Sequence, residues 1–226
     1  MAEWTDPSGS PLTAYPRPSV AVDVAVLTCS GDALQVVVVE HRRGLSALPG
    51  TFLHQGERLA DAAVRALRDK AHLTGTRFRQ LALFDDPDRD DRGWVISMAH
   101  TAAMPFRDLP EDALLVDVHD GEAAEGLAFD HAEMVRLAVD DLRARYAERV
   151  DPDHLLGESF TVLQLRRLYE VVFGSTLQKD SFRRHVRDAL EATERKETDG
   201  AGRPAEVFRR KGDGRLSAKA AALFAK

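Results

Sequence analysis

The chain has 226 residues, with 31 Lys+Arg against 37 Asp+Glu, a formal net charge of −6 and a single cysteine, Cys29. That length holds one large or two modest domains, and a lone cysteine excludes an internal disulfide and any multi-cysteine metal cluster. No apolar run is long enough to span a membrane, and residues 1–18 are polar and proline-bearing without a basic stretch, so neither a span nor a signal peptide is expected and the chain reads as soluble and cytoplasmic.

In chain order, the tail to Pro18 carries Pro7, Pro11, Pro16 and Pro18 and is expected to be extended. Val20, Val22, Val24 and Val26 alternate, and Leu34 to Val39 is a β-branched run, so two strands are predicted around a turn at Ser30-Gly31-Asp32. Cys29, beside Val26 and Leu27, is then a strand residue, the alternative being a reactive thiol. A helix follows over 58–71, with Leu59, Ala62, Ala63, Ala66, Leu67 and Ala71 on its apolar stripe. Strands are predicted at Phe78–Leu83 and Trp94–Ala103, flanking an acidic loop from Phe84 to Gly93. Leu127-Ala128-Phe129-Asp130-His131 opens a long helix that keeps Met134, Leu137, Ala138, Leu142 and Tyr146 at helical spacing, and Asp151-Pro152-Asp153 reads as a linker closing the first domain, residues 1–152. Strands and helices in this order predict a sheet covered by helices.

The remainder, residues 153–226, is of opposite sign. From His154 to Lys226 there are 15 Lys+Arg against 10 Asp+Glu, a net of +5, whereas the rest has 16 against 27, a net of −11. A basic module on an acidic body is compatible with binding DNA and also with a merely solvated surface. Thr161 and Gln164 form a capping-box signature, with Phe160 able to staple onto Leu165, and the helix they start should bury Val162, Leu165, Tyr169 and Val172 and stop at Gly174. A second helix from about Asp180 has Phe182, Val186, Ala189 and Leu190 on its apolar side. At about 100° per residue, Arg183, Arg184 and Arg187 share an arc on the other side, where they can meet phosphates and guanine edges or pair with Asp180, Asp188 and Glu191. Residues 193–198, a turn at Asp199-Gly200-Ala201-Gly202, Arg203-Pro204 and a strand Glu206–Arg210 complete the parts of a winged helix-turn-helix. Lys179, Ser181 and Arg203 join the three arginines as candidate DNA contacts.

One stretch carries more chemistry than the rest. Residues 48–73, LPGTFLHQGERLADAAVRALRDKAHL, resemble a Nudix box, the loop–helix motif that holds magnesium on a nucleoside diphosphate. Gly50, Gly56, Glu57 and Arg65 match it, but its first glycine falls on Thr51, three glutamates fall on Ala66, Asp69 and Lys70, and its closing glycine falls on His72. Magnesium wants several oxygen ligands from one helical face. Ala66 offers none, and Lys70 brings a positive charge where a cation would sit, so no catalytic or metal-binding residue is assigned.

With Pro18-Ser19-Val20, residues 86–93, Leu127–Ala132, Phe160-Thr161, Phe182-Arg183-Arg184 and Gly202-Arg203-Pro204-Ala205 in the same order, the chain resembles an NrtR-type Nudix-related transcriptional regulator. The resemblance implies an α+β protein, a Nudix-like α/β/α sandwich with a mixed sheet followed by a winged helix. It further implies a homodimeric repressor of NAD synthesis or salvage genes on a palindromic operator, with ADP-ribose or a related nucleotide as effector and no cofactor or membrane partner. Carried onto this sequence, the effector cleft would be lined by Gly50 and Glu57, by Arg89 and Arg92, and by His41, Arg42 and Arg43 at a strand end. Arg89 and Arg92 suit a diphosphate, or else pair locally with Asp86, Asp88, Asp90 and Asp91. The alternative function is a divergent magnesium-dependent ADP-ribose or NADH diphosphatase using Glu57, Asp69 and Asp61.

Overall fold

The structure, a computed structural model, describes residues 4–41, 44–198 and 204–224. β1 (Ser19–Ser30) and β2 (Ala33–Glu40) form an antiparallel hairpin, and Gly31 takes φ +58°, the left-handed conformation that a two-residue turn asks of glycine. The short strands β3 (Ser46–Ala47) and β4 (Gly50–Phe52) lie against β2 and β1 and lead into α1 (Leu59–Ala71). β5 (Phe78–Phe84) pairs antiparallel with β6 (Val95–Ala103), which runs parallel to β1. β7 (Leu114–His119) and β8 (Glu122–Ala123) extend the sheet beyond β2, and α2 (His131–Glu148) follows. The sheet is therefore mixed, in the order β5-β6-β1-β2-β7-β8.

Alternation along β1 decides the layers. Val22, Val24 and Val26 pack on one face with Ala62, Ala63 and Leu67 of α1. Ala25 and Leu27 join Met134, Val135, Ala138 and Leu142 of α2 on the other. Burial on both faces is why β1 reads as a nearly continuous apolar run, and each such side chain contributes about 1.5–3 kcal/mol. Cys29 lies within β1, and burial pushes its thiol up to about 12, so it stays protonated at neutral pH.

The second module opens with β9 (Phe160–Thr161) and α3 (Val162–Phe173). The predicted capping box is present: Thr161 Oγ1 accepts from the Gln164 amide at 3.2 Å, and Gln164 Oε1 accepts from the Thr161 amide at 2.7 Å. Gly174 ends the helix at φ +61°. α4 (Lys179–Val186) and the strands β10 (Leu190–Glu197) and β11 (Ala205–Arg210) complete a winged helix whose sheet runs β10-β11-β9. A last helix, α5 (Ala218–Phe224), packs on α2.

Several expectations need correction. The N-terminal tail is not simply extended: residues 12–14 form a 3-10 turn, and Asp6 Oδ1 gathers the Ser8 and Ser10 amides at 2.8 and 2.9 Å. α2 starts at His131 rather than Leu127, because Phe129 sits at φ +56°, outside any helix. α4 stops at Val186, so Arg187 lies in a 3-10 turn and Leu190 begins a strand. Within α3, Val162 is half-buried and Leu168 takes the buried position instead.

The Asp151-Pro152-Asp153 segment is a buried joint, not an exposed linker. Asp151 is fully buried and accepts from Tyr146 Oη (2.8 Å), the Leu155 and Leu156 amides (2.8 and 3.1 Å) and Arg210 Nη1 (3.1 Å). Arg210 Nη2 also donates to the Gly157 carbonyl at 2.6 Å. Tyr169 Oη on α3 donates to the carbonyls of Tyr146 and Arg149 at 2.9 and 3.0 Å. One continuous apolar core runs from Leu27, Val36 and Val118 through Tyr146 to Leu168, Tyr169, Phe182 and Phe224.

Candidate effector cleft and nucleic-acid interface

A cavity of about 510 Å³ opens where α2 begins, between the sheet and the segments 47–52 and 89–92. Its floor is built around Asp23, which the alternation of β1 turns toward α2. Burial opposes the Asp23 charge, but hydrogen bonds from His131 and Ser97 and the nearby Arg89 outweigh it, and the carboxyl is held below the usual range. Ser97 Oγ donates to Asp23 Oδ2 at 2.6 Å. The Leu48 amide donates to His131 Nδ1 at 2.9 Å, so the ring proton belongs on Nε2, which faces Asp23 Oδ1 at 3.5 Å. Gly50 lets β4 approach: a Cβ there would lie 1.8 Å from Asp23 Oδ1 and 2.8 Å from the Val22 carbonyl.

The predicted effector contacts divide. Gly50, Arg89 and Arg92 line the cavity, as does His41, expected there beside Arg42 and Arg43, and so do Asp23, Phe52, Lys70, Phe129 and His131, which the sequence reading did not assign. Arg42 and Arg43 lie outside the described residues. Arg89 is spent on Asp130, with Nε and Nη2 donating at 2.7 and 2.5 Å, so its partner comes from the α2 cap rather than from the neighbouring aspartates. Arg92 does pair locally, donating to both Asp90 oxygens at 2.8 and 2.6 Å. Its guanidinium also lies over the rings of Phe52 and Phe129, 5.0 Å from each centroid.

Glu57 does not line the cavity. Arg65 donates to both its oxygens at 2.9 and 2.8 Å, and reaches Thr51 Oγ1 at 3.0 Å and the Phe52 carbonyl at 2.8 Å. Arg65 thereby staples the loop to α1, and its hydrogen bonds hold the Glu57 carboxyl down at about 2. Thr51, standing where the box has glycine, contributes one of those acceptors. Ala66 is buried against the sheet, and Asp69 turns outward to Arg68 at 2.6 Å. Lys70 stands at the cleft. Among the described residues, no group of three or more His, Cys, Asp or Glu is arranged to hold a metal ion. The residues present therefore do not fit a magnesium site of the box type. His72, at the box's last glycine, takes φ +55° as the C-cap of α1, which shows why that position favours glycine.

The second candidate surface is α4. Gln178 caps it by accepting from the Ser181 amide at 2.5 Å, and Phe182 and Val186 anchor it to the core. Lys179, Arg183, Arg184 and Arg187 are exposed, and Ser181 is half-buried. Arg183 reaches Glu206 of the wing at 4.0 Å, and Glu191 is taken by Arg209 at 3.0 Å. Among the described residues, neither Arg184 nor Arg187 forms an ion pair, so the local pairing considered from sequence does not neutralise the arc. Arg203 and the wing tip, residues 199–203, lie outside the described residues. Among the described residues, no helix is long and apolar enough to cross a membrane.

A Nudix-type sandwich sharing its core with a winged helix whose second helix is faced with arginine is the class of protein that this fold defines. The family model for the NrtR DNA-binding winged helix domain matches residues 152–210. The solved structure of Shewanella oneidensis NrtR complexed with a 27mer DNA is 30% identical with a TM-score of 0.72, over 88% of this chain and 99% of that one. The ADPR responsive transcriptional repressor NtrR of Acinetobacter baylyi is 28% identical over 207 residues, 86% of this chain and 83% of the relative. The ADP-ribose pyrophosphatase of Methanocaldococcus jannaschii is 29% identical over 128 residues, 54% of this chain and 73% of that protein. The chain belongs to the NrtR family.

Proposed function

We propose that the protein is a DNA-binding transcriptional repressor, and that ADP-ribose or a related nucleotide bound in the 510 Å³ cleft controls it without being hydrolysed. One observation carries this reading: the helix face that would enter a major groove is attached, through a shared core, to a nucleotide-type cleft in which alanine and lysine stand at box glutamate positions. The Shewanella relative was solved with DNA and the Acinetobacter relative is named as ADPR-responsive, which supports both halves of the proposal.

Residues 1–152 then serve as the effector part and residues 153–226 as the DNA-binding part. Lys179, Ser181, Arg183, Arg184, Arg187 and Arg203 contact DNA, while Gly50, Arg89 and Arg92, with Arg42 and Arg43, surround the effector. Glu57 acts there indirectly, by bracing the loop. Two copies on a palindromic operator would present two reading heads at a fixed separation, controlling genes of NAD synthesis or salvage in the cytoplasm.

A gel shift with the DNA upstream of its own gene, run with and without ADP-ribose, tests the proposal. A sequence-specific complex altered by ADP-ribose is expected. Absence of any specific complex refutes DNA regulation, and magnesium-dependent release of AMP from ADP-ribose refutes the non-hydrolytic cleft.

A further inference from the structure

Arg92 occupies an unusual place for a residue expected to grip a diphosphate. Cζ of its guanidinium lies over two rings, Phe52 from β4 and Phe129 from the turn before α2, 5.0 Å from each centroid. That spacing lies inside the range of about 4.5–7 Å at which stacked aromatic pairs are found. The guanidinium edge is held by Asp90, itself buried, yet the Arg92 side chain remains 46% exposed, so solvent and solutes reach it from the cleft mouth.

The two rings are placed independently of Arg92. Phe129 adopts φ +56°, a conformation that costs a bulky residue free energy and persists only where the surroundings impose it. Its ring is steadied edge-on by His41 at 5.1 Å and at a tilt by His131 at 5.4 Å. Phe52 is 37% exposed at the end of β4, where the Arg65 bond to its carbonyl fixes the backbone. Two aromatic faces that meet one planar cation are surfaces on which a flat π-system can stack in its place. The cavity beside these rings, with Lys70 at its edge, supplies room and positive charge for a sugar phosphate.

We propose that Phe52 and Phe129 form a nucleobase slot, that Arg92 fills it in the free protein, and that the effector binds by inserting its base and displacing the guanidinium. This rests on the reading of the cleft as a nucleotide site and specifies which end of the nucleotide each wall takes. Arg92 thus acts as a competitor of the base rather than as a clasp on the phosphates. Specificity for a nucleotide over a sugar phosphate follows, because only the former carries a group that can replace the plug.

Calorimetry on the full chain with adenosine, ADP-ribose and ribose 5-phosphate tests it. Two exposed cation–π contacts of about 0.5–1 kcal/mol each oppose entry of the base, so R92A is expected to bind adenosine on the order of 5- to 30-fold more tightly than the wild type. F52L and F129L are each expected to weaken adenosine and ADP-ribose at least tenfold and to leave ribose 5-phosphate unchanged, with F129Y restoring the affinity. F52L changes only a partly exposed ring, so it keeps the test decisive even where F129L does not fold. Weaker adenosine binding by R92A, or ADP-ribose binding indifferent to F52L, overturns the slot while leaving the nucleotide cleft standing. A wild-type protein that binds no ADP-ribose overturns both.

Discussion

Arg210→Met removes the positive partner of a carboxylate that has no access to water. Asp151 keeps three donors in the variant, Tyr146 Oη and the Leu155 and Leu156 amides, but loses the guanidinium at 3.1 Å. Stripping one member from a buried ion pair costs about 3–5 kcal/mol, a large share of the roughly 5–15 kcal/mol that holds a protein folded. For a chain of this size the unfolding midpoint should fall by about 6–20 °C. The loss should also depend on pH, with a definite sign. Burial already raises the Asp151 carboxyl above its ordinary 3.8, and without Arg210 it rises further. A raised carboxyl binds its proton more tightly folded than unfolded, so stability is highest below the unfolded value. It then falls by about 1.4 kcal/mol per pH unit until the folded value is passed. The deficit of R210M relative to the wild type is therefore smaller at pH 5 than at pH 8, and adding D151N to R210M should recover part of it. Denaturant titrations at the two pH values read this directly. A midpoint within a degree of the wild type, or a deficit that grows on acidification, refutes the buried-pair argument.

Three further outcomes are expected. H72G, which relieves a left-handed histidine at the end of α1, should stabilise the protein by about 1 kcal/mol in the same titrations, and H72A should not. G50A places a Cβ 1.8 Å from Asp23 Oδ1, so it should cost about 1–3 kcal/mol and weaken effector binding in calorimetry, since the floor of the cleft must shift. R184A and R187A should each lower operator affinity and reduce the slope of log K against log salt by about one, because neither arginine is neutralised within the described chain. An unchanged slope would place them off the DNA.

What the sequence made legible follows the range of each interaction. The caps of α3 could be read because Thr161, Gln164 and Gly174 act on backbone within four residues of themselves. The faces of α1 and α4 followed from spacing alone. β7 escaped notice because Leu114–His119 is short and carries Asp117 and His119, and its place depends on β2, including the Gln35–Asp117 hydrogen bond across 82 residues. α5 carries a capping serine, Ser217, whose Oγ accepts from the Ala220 amide at 3.2 Å, but the helix is short, and Phe224 finds its place against Tyr169, Phe173 and Phe182. The cleft shows the same division. Gly50, Arg89 and Arg92 came from the family pattern, but nothing local showed that Arg89 is claimed by Asp130, or that Glu57 and Arg65 turn toward each other. Asp151-Pro152-Asp153 looks like solvent-exposed chain until Arg210 arrives from 59 residues away. His41 was named with Arg42 and Arg43 beside the cleft, whereas Phe129 and His131 were quoted for the resemblance but given no part in it. The signal that marks Phe129 is a backbone angle, which composition does not carry.

That buried joint sets how a signal could travel. A chain whose two halves share Tyr146, Tyr169 and Phe182 in one apolar mass has no slack between them to absorb a movement at the cleft. In the proposed dimer each copy should behave as a lever arm: a slight tilt where two copies meet would be magnified at α4, and operator fit would be lost through the angle between arms rather than through bending within either one.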